Sequence, residues 1–406
     1  MKRHIQNAVI FLLVVLIIIM TAFVSLLAYI CFFKEGTDKL PQLEELQYAE
    51  YTEYDPTEIN VRPLGRTSYS FGKRYVSMSG AGVEFCCKGD YVTFDLCGVM
   101  SAYQTSAQKA RVGVYLNDAL VLDEIVDYES YKHTLDISSY KRGVTVRIMK
   151  LSEAQFSTFA IGKIGVYGSY RIEPSPEKDF KIEFIGDSIT CGYGLDQNEQ
   201  YTYFTTRTEN FSKTYAYLTA EYFDADFSAV AFSGYGVYSG FSRGSRNAED
   251  VITRYYDTAA IVPNEEHYWD FTKTENDLVV INLGTNDASY CSKSYTARQN
   301  FTAAYVELLK TVREKNPEAY ILCILGDMNN SMYPCIEEAV RLYSNEMWDS
   351  CVEARTITFD MANTDIVVDG HPGTLANYRA YGDLKEIINE LIESGKVING
   401  QEGLFR

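Results

Sequence analysis

Four short stretches in the second half of the chain hold side chains that can do nucleophilic chemistry. Gly186-Asp187-Ser188-Ile189 follows the apolar run Phe184-Ile185. A serine at such a strand-to-helix turn exposes its hydroxyl above a sheet and meets the positive end of the next helix, although Asp-Ser there also reads as a plain helix cap. Phe232-Ser233-Gly234-Tyr235-Gly236 has glycines whose backbone N–H can approach a ligand closely, with Gly234 preferred and Gly236 the fallback. Gly284-Thr285-Asn286-Asp287 offers the Asn286 amide as a donor to a developing oxyanion, with Asp287 supporting the loop, and the same residues also suit an ordinary turn. Asp369-Gly370-His371-Pro372 places an acid two residues before a histidine, so that in extended backbone Asp369 holds one ring nitrogen while the other faces a serine.

Two patterns compete. Gly240-Phe241-Ser242-Arg243-Gly244 satisfies G-x-S-x-G, but it lies well past the nearest apolar strand in a Gly/Ser/Arg-rich run, whereas a nucleophile elbow needs a strand directly before it and a helix directly after. Gly234-x-Gly236 half-matches a dinucleotide loop whose third glycine is missing. Histidine is scarce: His4, His133, His267 and His371 are all there are, and only His371 falls at an expected strand end near the other motifs. No HExxH or similar ligand spacing occurs, so neither a metal nor a cofactor is expected.

The elements that must position these residues follow from periodicity. Residues 181–185, 226–232, 278–283, 320–325 and 356–359 are short apolar runs of the kind buried in a parallel sheet. Residues 302–315 and 375–394 have helical spacing between or after them. The pattern predicts a doubly wound α/β domain over residues 173–406, with its ligand site beyond the carboxyl ends of the strands. Residues 60–172 alternate like strands in 91–96, 111–116 and 144–148, and Asn117-Asp118 suits a hairpin turn. An antiparallel β-sandwich of the jelly-roll sort is the expected architecture there.

Residues 8–33 carry no charge and are long enough to cross a bilayer, which predicts a single membrane span with the bulk of the chain extracytoplasmic. Residues 1–33 are therefore read as a tail and anchor, and residues 34–59, with eight acids and two bases, as an acidic stalk. The formal charge of −18 disfavours a nucleic-acid partner. Of nine cysteines, Cys31 lies in the span. Buried free thiols are expected for the rest, with Cys191 and Cys291 the preferred pair if any bridge forms.

Taken together, GDSI at 186–189, Gly234, GTND at 284–287 and DGHP at 369–372 resemble the ordered blocks of the SGNH (GDS-type) esterase superfamily. The β-rich first domain, with Lys150-Leu-Ser-Glu153-Ala154 after a Val-Thr-Val-Arg strand, is similar to carbohydrate esterase family 2 over residues 60–398. The resemblance implies a flavodoxin-like three-layer hydrolase domain behind a jelly roll, and removal of acetyl groups from a carbohydrate. It implies Ser188 as nucleophile, His371 as base with Asp369 beside it, and an oxyanion hole from the N–H groups of Ser188 and Gly234 and the Asn286 amide. Asp369 and His371 are separated by one residue rather than two, the form used in family 2, some of whose members lack a side-chain acid. The rival expectations are an O-acetyltransferase acting on cell-wall or exopolysaccharide, and a glycan-binding protein with a vestigial esterase domain. Tyr201-Thr202-Tyr203-Phe204 suits either a sugar-facing surface or core and rim packing, and Trp269 and Trp348 are equally open, with Trp269 in its loop slightly favoured as a cleft wall.

Overall fold

The computed structural model describes residues 50–99, 103–168, 171–197 and 203–399. The predicted span at 8–33 lies outside them, as does residue 34–49 of the predicted stalk. Among the described residues no helix is long and apolar enough to cross a membrane.

The first half is all antiparallel strand in two six-stranded sheets. One runs Thr67–Ser70, Lys73–Val76, Phe159–Tyr167, Tyr91–Cys97, Ser130–Asp136, with Tyr51–Tyr54 also paired to Phe159–Tyr167. The other runs Glu173–Pro174, Gly82–Cys87, Val144–Lys150, Ala110–Leu116, Ala119–Val126, with Arg62–Leu64 paired to Gly82–Cys87. Alternation along these strands turns Val83, Phe85, Val92, Phe94, Val112, Val114, Val146 and Ile148 into one apolar core. The hairpin at Asn117-Asp118 forms as expected, both residues taking positive φ (46° and 70°) as a two-residue primed turn requires. The sandwich begins earlier than residue 60. Tyr51–Tyr54 pairs in register with Tyr167–Ile164, so the end of the supposed stalk is a strand whose acids, such as Glu53, lie on an exposed edge.

The second half is a five-stranded parallel sheet in the order Ala225–Ala231, Phe180–Gly186, Leu278–Asn282, Tyr320–Gly326, Val352–Ile357. In chain order this is 2-1-3-4-5, so the direction of winding reverses between the strands ending at Gly186 and Asn282, where doubly wound sheets bind ligands. Helices Tyr215–Tyr222 and Thr374–Glu393 bury Phe184, Tyr215, Leu322 and Leu384 on one face, while Tyr295–Lys315 and Tyr333–Met347 cover Ile281, Phe301, Leu325 and Ile336 on the other. Two expected boundaries move. The last strand is Val352–Ile357 rather than 356–359, because this edge strand carries Glu353 and Arg355 and is buried only at its ends, Val352 and Ile357, and so lacks an apolar run. The helix expected from 302 starts at Tyr295, where the Ser294 side chain accepts from the Ala297 N–H.

Buried charge joins the two halves. Arg66 donates to Glu183 of the parallel strand Phe180–Gly186 at 2.6 Å, and Arg111 reaches Asp196 at 2.6 Å and the Glu209 carbonyl at 3.1 Å. The Phe211 N–H donates to the Leu151 carbonyl, continuing the connection along the backbone.

Candidate active site

Ser188 sits at the reversal point because its strand is short of side chain there. A Cβ on Gly186 would lie 2.1 Å from Thr190 Oγ1, so only glycine lets the chain turn this tightly into the next segment. Asp187 caps that segment, its carboxylate accepting from the Ile189 N–H at 3.0 Å. The helix itself is a single turn, Ser188–Cys191, closed by Gly192 at φ 87°, so its dipole is small and individual N–H groups matter more than the predicted helix field.

The Ser188 hydroxyl and His371 Nε2 are 2.7 Å apart, although 183 residues separate them in sequence. The other ring nitrogen, Nδ1, faces the Val368 carbonyl at 3.2 Å, which fixes Nδ1 as the protonated nitrogen and leaves Nε2 to accept from serine. This corrects the expected role of Asp369. Asp369 takes the left-handed conformation (φ 55°), and its carboxylate accepts from the Tyr193 hydroxyl at 2.9 Å instead of from the imidazole. The Tyr193 ring stacks on His371 with centroids 4.3 Å apart, and Phe204 stacks on its other face at 3.8 Å. Burial pushes the imidazole down to about 4, against a smaller opposing effect of the Val368 carbonyl and Asp369, so the ring is neutral and able to take a proton at ordinary pH.

On the far side of Ser188 lies the loop after strand Ala225–Ala231. Gly234 has φ 81°, a conformation that disfavours any side chain, and its N–H has no acceptor among the described residues. The fallback, Gly236, is spent: its N–H donates to the Asp250 carbonyl at 3.1 Å. Asn286 reaches the same place, but its amide donates to the Tyr235 carbonyl at 2.9 Å and to Asp187 Oδ2 at 3.2 Å, so both its hydrogens are engaged. Asp287 braces the loop by accepting from the Val237, Tyr238 and Ser239 N–H groups at 2.8–2.9 Å. Burial raises Asp187 to about 7 and Asp287 to about 6 despite these donors. The arrangement supplies a serine hydroxyl, a neutral acceptor for its proton and an unpaired N–H in the loop after the adjacent strand, which are the groups that addition to an ester carbonyl needs.

Residues 184–385 match the GDSL-like lipase/acylhydrolase family. The second half of this chain is a GDSL-like lipase/acylhydrolase domain. Among curated proteins, the cellulase/esterase CelE of Acetivibrio thermocellus is 35% identical over 201 residues, which is 50% of this chain and 23% of that one. An acetylxylan esterase / glucomannan deacetylase of Cellvibrio japonicus is 29% identical over 196 residues, 46% of this chain and 53% of that one. The chain thus spans about a quarter of the first relative's length and about half of the second's. Among solved structures, a family two carbohydrate esterase from Clostridium thermocellum in complex with cellohexaose superposes with TM-score 0.71 at 25% identity, covering 83% of this chain and 99% of that one. The fold is also that of an acetyl xylan esterase from the rumen bacterium Butyrivibrio proteoclasticus, with TM-score 0.75 at 21% identity over 86% and 99% of the two chains. These matches include the β-sandwich as well as the GDSL-like domain.

The other residues singled out from the sequence also have their places in the structure. Ser242 bonds to the Ser245 carbonyl and takes no part in a histidine contact, so the G-x-S-x-G pattern is a surface turn. Cys191 and Cys291 are both free and buried, Cys191 packed toward Ser79, Glu153 and Glu209, and Cys291 toward Asp287 and Cys335. Trp269 borders a pocket with Lys181, Ala225 and Asp226 at the amino ends of the parallel strands, the edge opposite Ser188, where the Arg66 guanidinium lies 5.7 Å from its ring. Trp348 is 93% exposed just before the last strand, also at an amino end. Of the aromatic run, Tyr201 and Thr202 lie outside the described residues, Tyr203 is exposed, and Phe204 reaches the site through Tyr193. Tyr193 and the Val368 carbonyl went unread in the sequence because a backbone oxygen has no residue signature, and Tyr193 acts from five residues past the serine.

Proposed function

We propose that this protein is a carbohydrate O-acetylesterase. The observation that carries the reading is the 2.7 Å contact between Ser188 Oγ and His371 Nε2, with the unpaired Gly234 N–H in the loop that follows the neighbouring strand. His371 takes the serine proton as Oγ adds to the acetyl carbonyl, and the oxygen of the tetrahedral adduct is received by the Ser188 and Gly234 N–H groups. Asn286 joins them by exchanging its longer bond, to Asp187, for one to the oxyanion. The adduct collapses as the sugar oxygen departs with the proton from His371. Water, deprotonated by the same ring, then releases acetate and restores the serine. Val368 holds the tautomer throughout, and Asp369 acts on the ring only through Tyr193. No step requires a metal or an organic cofactor.

The substrate class is supported by the names of the relatives, which act on acetylated xylan and glucomannan, and by the cellohexaose bound in one related structure. The charge-free run at 8–33 supports a membrane tether with the esterase outside the cytoplasm, to be checked by whether full-length protein sediments with membranes while remaining open to external protease. The activity is tested with the full chain on 4-nitrophenyl acetate and on acetylated xylan and glucomannan. Acetate release is expected from the wild type and from Ser242→Ala but not from Ser188→Ala. Equal release from the wild type and Ser188→Ala would sink the assignment.

A further inference from the structure

Near Ser188 lies a buried cluster that the acyl chemistry leaves unused. Glu153 comes from the segment that follows the sandwich strand Val144–Lys150, Glu209 from the GDSL-like domain, and Cys191 from the last position of the Ser188 turn. All three are fully buried, and one carboxylate oxygen of each acid and the thiol sulfur lie within 4.8 Å of one another. Each acid uses one oxygen. Glu153 Oε2 accepts from the Ser233 N–H at 2.7 Å, and Glu209 Oε2 accepts from the Glu153 N–H at 2.9 Å. The second oxygen of each, Oε1, is buried without a partner. Two unpaired carboxylate oxygens at fully buried positions are costly unless something lies between them.

Charge indicates what that is. The Lys150 ammonium is fully buried against the same cluster, donating to the Ser152 carbonyl at 2.9 Å and to the Glu153 carbonyl. Burial holds the Cys191 thiol neutral. With two acids and one ammonium, a single proton shared by the acids makes the cluster neutral and pairs both loose oxygens. A divalent cation would instead set positive charge beside a buried ammonium. Burial raises both acids above the ordinary carboxylate range, in keeping with a retained proton.

The Ser233 contact gives the cluster a task. The peptide before Ser233 is held by Glu153, and the Gly234 carbonyl is held by the Phe241 N–H at 2.7 Å. The one peptide between them carries the free Gly234 N–H. We propose that Glu153, supplied by the sandwich, is a positioning residue that aims the Gly234 N–H at the Ser188 site, and that it does so as half of a proton-sharing pair with Glu209. This rests on the esterase reading only in that Gly234 receives the oxyanion.

Two variants separate reach from charge. Glu153→Gln keeps the length and the acceptor oxygen and gives the Glu209 carboxylate an N–H in place of the shared proton. Glu153→Asp keeps the charge but withdraws the acceptor by one methylene. With 4-nitrophenyl acetate and the full chain, E153Q is expected to keep kcat within about threefold, and E153D to lose about 10- to 100-fold in kcat with KM within about twofold, a fraction of what an oxyanion donor contributes. Labelling of Ser188 by a fluorophosphonate should slow in the same ratio, because its adduct uses the same N–H. An E153D variant as fast as wild type, or E153Q slower than E153D, would overturn the proposal. A wild type that fluorophosphonate fails to label at Ser188 would overturn the esterase reading and this one with it, whereas equal labelling of wild type and E153D overturns this one alone. Metal analysis of the purified protein is expected to find no stoichiometric ion, and one equivalent lost together with activity on chelation would replace the shared proton by a cation.

Discussion

Among the described residues are two serine–histidine contacts of nearly equal length, and they are not alike. Ser188 Oγ lies 2.7 Å from His371 Nε2, and Ser68 Oγ lies 2.6 Å from His267 Nδ1. The second pair even has what the first lacks, a carboxylate on the far ring nitrogen, with Glu265 at 2.9 Å from His267 Nε2. By side-chain inventory Ser68-His267-Glu265 is the better triad. By setting it is no site: Ser68 lies within the strand Thr67–Ser70, directly paired with Tyr75, and His267 sits on the hairpin Glu265–Tyr268 that leans on the sandwich. Ser188 instead stands at a strand end, where the chain reversal leaves a free N–H across from it. What separates the two pairs is the backbone around the serine, more than the acid behind the histidine.

The largest test of that contrast is Ser188→Ala, which should lower acetyl-ester turnover by at least about 10⁴-fold, as loss of an acyl-accepting serine does elsewhere. Residual activity within tenfold of wild type would mean that another serine carries the reaction, with Ser68 the first to examine. Next comes Asn286→Ala. If Asn286 exchanges Asp187 for the oxyanion, kcat should fall about 10²- to 10³-fold at little change in KM. A loss under about threefold, read by the same assay, would show that the amide is committed to Tyr235 and Asp187 and only holds the loop.

Much of this is legible in the sequence, for a physical reason. Strands buried on both faces must be apolar runs, so four of the five parallel strands announce themselves, and sheet topology then gathers Ser188, Gly234, Asn286 and His371 at one edge. The fifth was expected at 356–359, four residues late at its start, because an edge strand can carry Glu353 and Arg355. The site was harder where backbone does the work. Spacing placed Asp369 beside His371, but the left-handed turn at Asp369 swings its carboxylate to Tyr193 and presents the Val368 carbonyl in its stead. Glu153 was readable only as part of a family-like string, since nothing local says that a sandwich residue will touch the loop at Ser233.

That substitution of a carbonyl for an acid makes the third prediction. In a triad whose acid holds the histidine, converting the acid to its amide costs about 10⁴-fold. Here Asp369→Asn should cost less than about tenfold, because it only weakens the hydrogen bond from Tyr193, and Tyr193→Phe should match it. A loss for Asp369→Asn beyond about 10³-fold would put the carboxylate back on the imidazole. The pH profile sharpens the point. Burial lowers His371 from 6.5 to about 4, so the base is neutral above that value and is lost as pH falls through it. The acid limb of kcat/KM should therefore fall near pH 4 to 5, and a limb near 6.5 would mean a solvated ring.

The smallest effect is expected at the other pair, and its smallness is the informative result. Ser68→Ala removes a hydroxyl from His267 but no group from the reacting face, so turnover of 4-nitrophenyl acetate should stay within about twofold. The fluorophosphonate should leave Ser68 unlabelled in the wild type and in Ser188→Ala alike. Stability should fall by about 1 kcal/mol, the ordinary worth of one partly buried hydrogen bond, visible as a shift in the denaturation midpoint. Labelling at Ser68 would show that a short serine–histidine contact with an acid behind it is enough for reactivity even inside a paired strand. The distinction drawn between the two pairs would then rest on substrate access, and no longer on the free N–H that a strand end provides.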